Sequence, residues 1–149
     1  MTVQPALPTL AFASDHAGVE LRAHLRAQAE AWGYATVDLG PDAGQSVDYP
    51  DYAGKLAEAL NSGPATLGVL ICGSGIGISI AANRHAHIRA ALVSEALSAR
   101  LAREHNNANV IVFGARLIGP DLAADALKQF LTTPFDGGER HARRVAKLG

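Results

Sequence analysis

Short apolar runs alternate with stretches of helical periodicity along most of this chain. Residues 7–13 form the first run, which ends at Ser14-Asp15-His16. Over residues 17–32, Val19, Leu21, Leu25, Ala29 and Trp32 recur near helical spacing until Gly33 stops them. A second run at 34–39 leads into the polar, turn-rich segment 40–48, and a helical pattern at 49–60 stops at Asn61-Ser62-Gly63-Pro64. Residues 67–71 are almost wholly apolar, as a strand buried on both faces requires, and a glycine-rich turn and a short helix follow. Further strands are expected at 88–93 and 110–113. Ser94 is expected to cap a helix through Arg103, Asp121 to open a helix over 122–131, and residues 139–147 to form a basic helix. Strands that alternate with helices at this spacing predict a parallel sheet covered on both sides. Right-handed crossovers then give a single-domain, three-layer α/β sandwich with five parallel strands, Rossmann-like in form.

Bulk properties narrow the picture without redirecting it. A chain of 149 residues is most simply one domain, burying roughly two-thirds of its unfolded surface. With 48% hydrophobic and 18% charged residues and a formal net charge of −1, the composition is that of a globular chain, and it argues against nucleic acid as the partner. Neither a basic leader nor an apolar run long enough for a membrane is evident. One cysteine allows no internal disulfide and no cysteine-rich zinc site, so the cytoplasm is the expected compartment. The histidines lack carboxylates at ligand spacing, and no metal is expected.

Chemistry concentrates where that cysteine stands. Cys72-Gly73-Ser74-Gly75-Ile76-Gly77 lies between the third strand and the helix after it. Glycines leave backbone N–H groups bare to a ligand, and a helix start adds unpaired donors and the positive end of the macrodipole. Thiols placed there are biased toward thiolate, and an oxyanion forming beside them is stabilised. The pattern points to chemistry on a carbonyl compound. Other glycine-loop readings fail on particular residues. A dinucleotide fingerprint needs glycine where Ile78 stands, a nucleophile elbow needs it where Cys72 stands, and the P-loop ending is absent. A receiver domain would carry an aspartate at position 72. In an open α/β sheet ligands bind beyond the carboxyl ends of the strands, where Asp15-His16, Cys72-Gly73-Ser74 and Gly114-Ala115-Arg116 all fall.

Each of these residues also has a plainer reading: a buried thiol, a turn with a helix cap at Asp15-His16, a cap at Ser74, a macrodipole partner at His105. Arg140 and Arg144, spaced i, i+4, share one helical face, which suits either solvent or a phosphate group. His24, His85, His87 and His141 receive no role.

Taken together, Ser14-Asp15-His16-Ala17-Gly18, Asp48-Tyr49-Pro50, the segment 71–83, Glu104-His105-Asn106, Asn109-Val110 and Phe113-Gly114-Ala115-Arg116 resemble ribose-5-phosphate isomerase type B. The same broader family includes galactose-6-phosphate isomerase subunits, and the resemblance runs over residues 10–145. It implies a Rossmann-like fold, a phosphorylated sugar as substrate, no cofactor, and a homodimer or dimer of dimers with active sites between subunits. It also implies roles. Cys72 would be the base, Ser74 (where the family usually has threonine) would assist proton transfer to the sugar oxygens, and the amides of Gly73, Gly75, Ile76 and Gly77 would form the anion hole. His105 would open the sugar ring, Asp15 and Asn106 would hold hydroxyls, and Tyr49 would line the pocket. His16, Arg116, Arg140 and Arg144 would bind phosphate, the last two reaching from a C-terminal basic helix (residues 138–149) to the partner. Two alternatives stay open. One is an isomerase of a hexose or tetrose phosphate; the other is a sugar-phosphate-binding regulatory module, which would require loss of Cys72 or His105, and both are present.

Overall fold

The structure, a computed structural model, describes residues 6–149; the N-terminal residues read above as lacking a leader lie, up to Pro5, outside the described residues. Five strands form one parallel sheet: β1 Thr9–Ser14, β2 Thr36–Asp38, β3 Ala65–Cys72, β4 Ala90–Leu92 and β5 Val110–Gly114, in the order β2-β1-β3-β5-β4. Among the described residues six α-helices join and cover them: α1 Val19–Ala31, α2 Tyr49–Ser62, α3 Ile76–Asn83, α4 Ala96–Asn106, α5 Pro120–Thr132 and α6 Glu139–Ala146. The expected α/β sandwich with five parallel strands is borne out.

Strand alternation sets the layers. Leu10, Phe12, Val69, Ile71, Ile111 and Phe113 point to one face, into a core completed by Leu25, Ala99, Leu127 and Phe130 from α1, α4 and α5. Their neighbours Ala11, Ala13, Leu70, Cys72, Val110 and Val112 point to the other face, against Ala53, Leu56, Ala57, Ile78 and Ala82 of α2 and α3. Small residues on that second side let α2 approach closely. A Cβ on Gly68 would stand 2.7 Å from a Leu56 methyl group.

Element limits differ from the sequence reading for local reasons. The edge strands β2 and β4 are shorter than expected because each pairs on one side only, although Leu10 N–H still donates to the Ala35 carbonyl and Val93 N–H to that of Val112. A 3-10 turn, His16–Gly18, precedes α1, since the Asp15 carboxylate takes the Ala17 N–H at 2.9 Å. Glu95, not Ser94, caps α4, its Oε2 accepting from Ser98 N–H at 2.9 Å. Pro120 opens α5 one residue before Asp121, as its fixed φ and missing N–H suit a first helical turn.

The topology fixes where a ligand can sit. The chain leaves β1 toward β2 on one side and returns to β3 on the other, so a crevice opens beyond the carboxyl ends of β1 and β3. Register makes this specific. Ser14 pairs with Ile71 and Cys72 with Gly114, so Asp15, Cys72 and the turn after Gly114 leave the sheet side by side.

Candidate active site

Asp15 is buried at the end of β1, its N–H donating to the Ile71 carbonyl at 3.1 Å. Behind it, the buried Arg22 of α1 braces the strand end, donating to Ser14 Oγ and to the Pro41 carbonyl, each at 2.6 Å, with Nε 3.0 Å from Asp38 Oδ1. His16 follows, and its Nδ1 accepts the Val47 N–H at 3.2 Å. A backbone N–H can only donate, so Nδ1 carries the lone pair and the ring proton sits on Nε2.

Cys72 closes β3, and its side chain is buried yet borders a cavity of about 330 Å³ shared with Asp15, His16, Tyr49, Gly73, Ser74, Gly77 and Arg116. The thiol therefore has access to a ligand, which the plain buried-cysteine reading does not allow. The Gly75 N–H donates to Sγ at 3.2 Å, from a residue held at φ 78° at the head of α3. Ser74 Oγ accepts the Ile76 N–H at 3.2 Å, but the N-cap of α3 is Gly75 and not Ser74, whose side chain borders the cavity. Two of the loop amides expected to receive an anion are thus turned onto the loop's own sulfur and hydroxyl.

Missing side chains shape the walls. A Cβ on Gly77 would come within 2.6 Å of the Tyr49 ring, and one on Gly73 within 3.4 Å of Arg116 Nε. Tyr49 and Arg116 therefore lie directly over the glycine loop. The Arg116 N–H also donates to the Gly73 carbonyl at 2.9 Å. Ala17 and Leu117 complete the lining. Leu117 is a large apolar residue just past a strand end and highly exposed, a signal the sequence reading passed over.

Four expected residues are not here. Helix α4 runs from the carboxyl edge of the sheet back to the amino edge, so His105 and Asn106, in its last turn, lie at the opposite end from Cys72. The length of a strand, on the order of 15 Å, separates the two ends. Arg140 and Arg144 are on α6, which packs on α4 beside them. Asn106 borders a second cavity of about 390 Å³ with Asn83, Arg89 and Leu148. The His105 ring stacks on that of His141, with centroids 4.5 Å apart and planes at 6°. His141 is a feature that sequence reasoning missed. It lies one residue beyond Arg140, and nothing in the sequence shows that α6 turns it inward. Among the described residues, no group of three or more His, Cys, Asp or Glu side chains is placed to hold a metal ion, and no helix is long and apolar enough to cross a membrane.

A doubly wound sheet with a thiol, a carboxylate and a glycine-rich helix start at its switch point is a frame for enzyme chemistry on a small anionic substrate. The comparisons with known proteins say which. The ribose/galactose isomerase family matches residues 10–148. The chain is 43% identical over 139 residues to ribose-5-phosphate isomerase B of Escherichia coli, covering 93% of each. It is 39% identical over 142 residues to D-erythrulose-4-phosphate isomerase of Pectobacterium atrosepticum, covering 95% of this chain and 93% of that protein. The solved ribose 5-phosphate isomerase of Thermotoga maritima superposes with a TM-score of 0.91 at 49% identity, covering 95% of this chain and 97% of that one. This chain belongs to the ribose/galactose isomerase family and is an isomerase.

Proposed function

We propose that this enzyme interconverts ribose 5-phosphate and ribulose 5-phosphate through an enediolate, with Cys72 as the base. One observation carries the assignment of the base: the Cys72 sulfur borders the cavity at the switch point while receiving the Gly75 N–H. The amide fixes where the sulfur sits, and the cavity gives a sugar C–H a path to it.

His105 opens the furanose by moving a proton between the ring oxygen and the anomeric hydroxyl. The Cys72 thiolate takes the proton on C2 of the open aldose, and the electron pair flows onto the carbonyl oxygen to give the enediolate. Ser74 carries a proton between O1 and O2, and the thiol returns its proton to C1, which yields the ketose. Negative charge on the oxygens falls toward the loop running from Gly73 to Gly77 at the head of α3. Each donor of an oxyanion hole contributes roughly 3 kcal/mol to the transition state, so the glycine loop counts as heavily as the thiol. Asp15 and Asn106 hold hydroxyls, and Tyr49 walls the sugar. His16 offers its Nε2 proton, with Arg116 beside it, to the phosphate.

His105, Asn106, Arg140 and Arg144 come from the facing edge of a second copy of this chain. Two observations support that pairing. Within one chain these residues lie a strand's length from the thiol, and α3 exposes Ile76 and Ile80, spaced i, i+4, while the adjoining β4 exposes Leu92.

The test is to incubate purified enzyme with ribose 5-phosphate and detect ribulose 5-phosphate, alongside a panel of tetrose and hexose phosphates. Cys72→Ala is expected to lower turnover at least ~10³-fold, as loss of a proton-transferring group does, while binding stays measurable; substantial residual turnover would remove the thiol from the mechanism. A four-carbon substrate is the second reading, favoured by the similarity to D-erythrulose-4-phosphate isomerase. Preference for the tetrose in the panel would establish it.

A further inference from the structure

A half-exposed histidine in the last turn of a helix is free to choose among rotamers, yet ring opening needs its imidazole at a fixed place. The neighbouring α6 supplies the restraint. His141 is nearly buried, with 11% of its side chain exposed, and its ring lies flat on His105, whose side chain is 42% exposed. The plate is itself held. Its Nε2 faces Arg140 Nη2 at 3.5 Å and Asp136 Oδ2 at 3.9 Å. Asp136 is in turn fixed to α4, since its N–H donates to the Glu104 carbonyl at 2.9 Å, and its Oδ1 accepts the Gly138 N–H at 3.1 Å. The other charged group near His105 is Glu104, whose Oε1 stands 4.0 Å from Nε2.

We infer that His141 is a positioning residue: its stacked ring sets the orientation of the His105 imidazole and ties it, at fixed spacing, to the guanidinium of Arg140. The inference rests on the ring-opening role proposed for His105. In that frame one rigid unit built from the end of α4 and the start of α6 meets both the sugar ring and the phosphate. The spacing between those two groups then measures the substrate.

Ring opening can be read apart from proton abstraction. In Cys72→Ala enzyme, isomerisation is off, and exchange between the α and β anomers of ribose 5-phosphate, followed by exchange NMR at saturating sugar, reports on ring opening alone. Adding His105→Ala is expected to abolish the acceleration. Adding His141→Leu, which fills the same space without a flat ring, is expected to cut it about tenfold or more, because misplacement of a catalytic group by a fraction of an ångström has costs of that order. His141→Phe restores an aromatic plate and is expected to stay within about threefold of the parent. Full acceleration in the His141→Leu protein, with His105→Ala inactive, overturns the inference and leaves the proposed reaction standing. Undiminished exchange with His105→Ala instead removes the ring-opening role itself. A measurement on the unmutated enzyme decides without any variant: the ring protons of His105 are expected to show upfield ring-current shifts and cross-relaxation to the His141 ring. Shifts of a freely rotating imidazole would overturn the stack.

Discussion

Two glycines at the site are not equivalent, and the atom each would collide with says why. A Cβ on Gly77 meets the Tyr49 ring, which is exposed and able to swing away, while alanine inside a helix is favoured over glycine by up to ~1 kcal/mol. Gly77→Ala is therefore expected to leave thermal stability almost unchanged and to raise the Michaelis constant as Tyr49 leaves the pocket wall. Matched unfolding and steady-state curves check this, and an unchanged constant would take Tyr49 out of the binding surface. A Cβ on Gly114 meets the main-chain carbonyl of Ser74, which cannot swing aside. Gly114→Ala is expected to cost about 1–3 kcal/mol, the usual penalty of overpacking, and most of the turnover with it. At this scale much was legible. Asp15, His16, Cys72 and Arg116 follow strand ends, and strand ends are readable from apolar runs. The direction His141 faces was not, because a short basic helix shows no inward face until it is packed.

Helix α4 links the two ends of the molecule, and its own start is held by a charge. The Glu95 carboxyl lies below the ordinary carboxylate range because it accepts hydrogen bonds from Ser98, and from the Leu97 backbone in lesser degree. A group whose folded pKa is depressed contributes stability that is fully present above its unfolded pKa and is lost as pH falls through the folded one. Wild-type enzyme is thus expected to exceed Glu95→Gln in melting temperature near neutrality, with the gap closing as pH drops below the carboxylate range. A gap independent of pH would show that the carboxylate charge plays no part in the cap. Sequence reasoning placed the cap one residue early because serine is a preferred capping type and glutamate is not, whereas the Ser98 N–H donates to the longer Glu95 side chain. It located every strand and helix, yet misjudged edge strands, whose ends depend on having a neighbour. Strand order is a long-range property that no local pattern holds.

In the whole molecule, the proposed catalytic groups occupy two opposite edges of one sheet. A two-fold pair that brings unlike edges together completes two sites at once. Cys72→Ala and His105→Ala proteins, each inactive alone, are therefore expected to regain activity when mixed and allowed to exchange subunits. Random pairing leaves about a quarter of the sites intact; no recovery after proven exchange would place both groups in one chain's site. The resemblance implied that Arg140 and Arg144 reach the partner, but the proposed placing of His105 with them was not read from the sequence, where His105 and Cys72 differ only in position along the chain. The in-register pairing of Cys72 with Gly114 and Ser14 with Ile71 has a last consequence. A slip of one residue in β3 would carry the sulfur to the opposite layer. No loosened, half-ordered species retains working alignment, so in a denaturant titration turnover should vanish no later than the sheet's spectroscopic signal, making the assay itself a gauge of native structure.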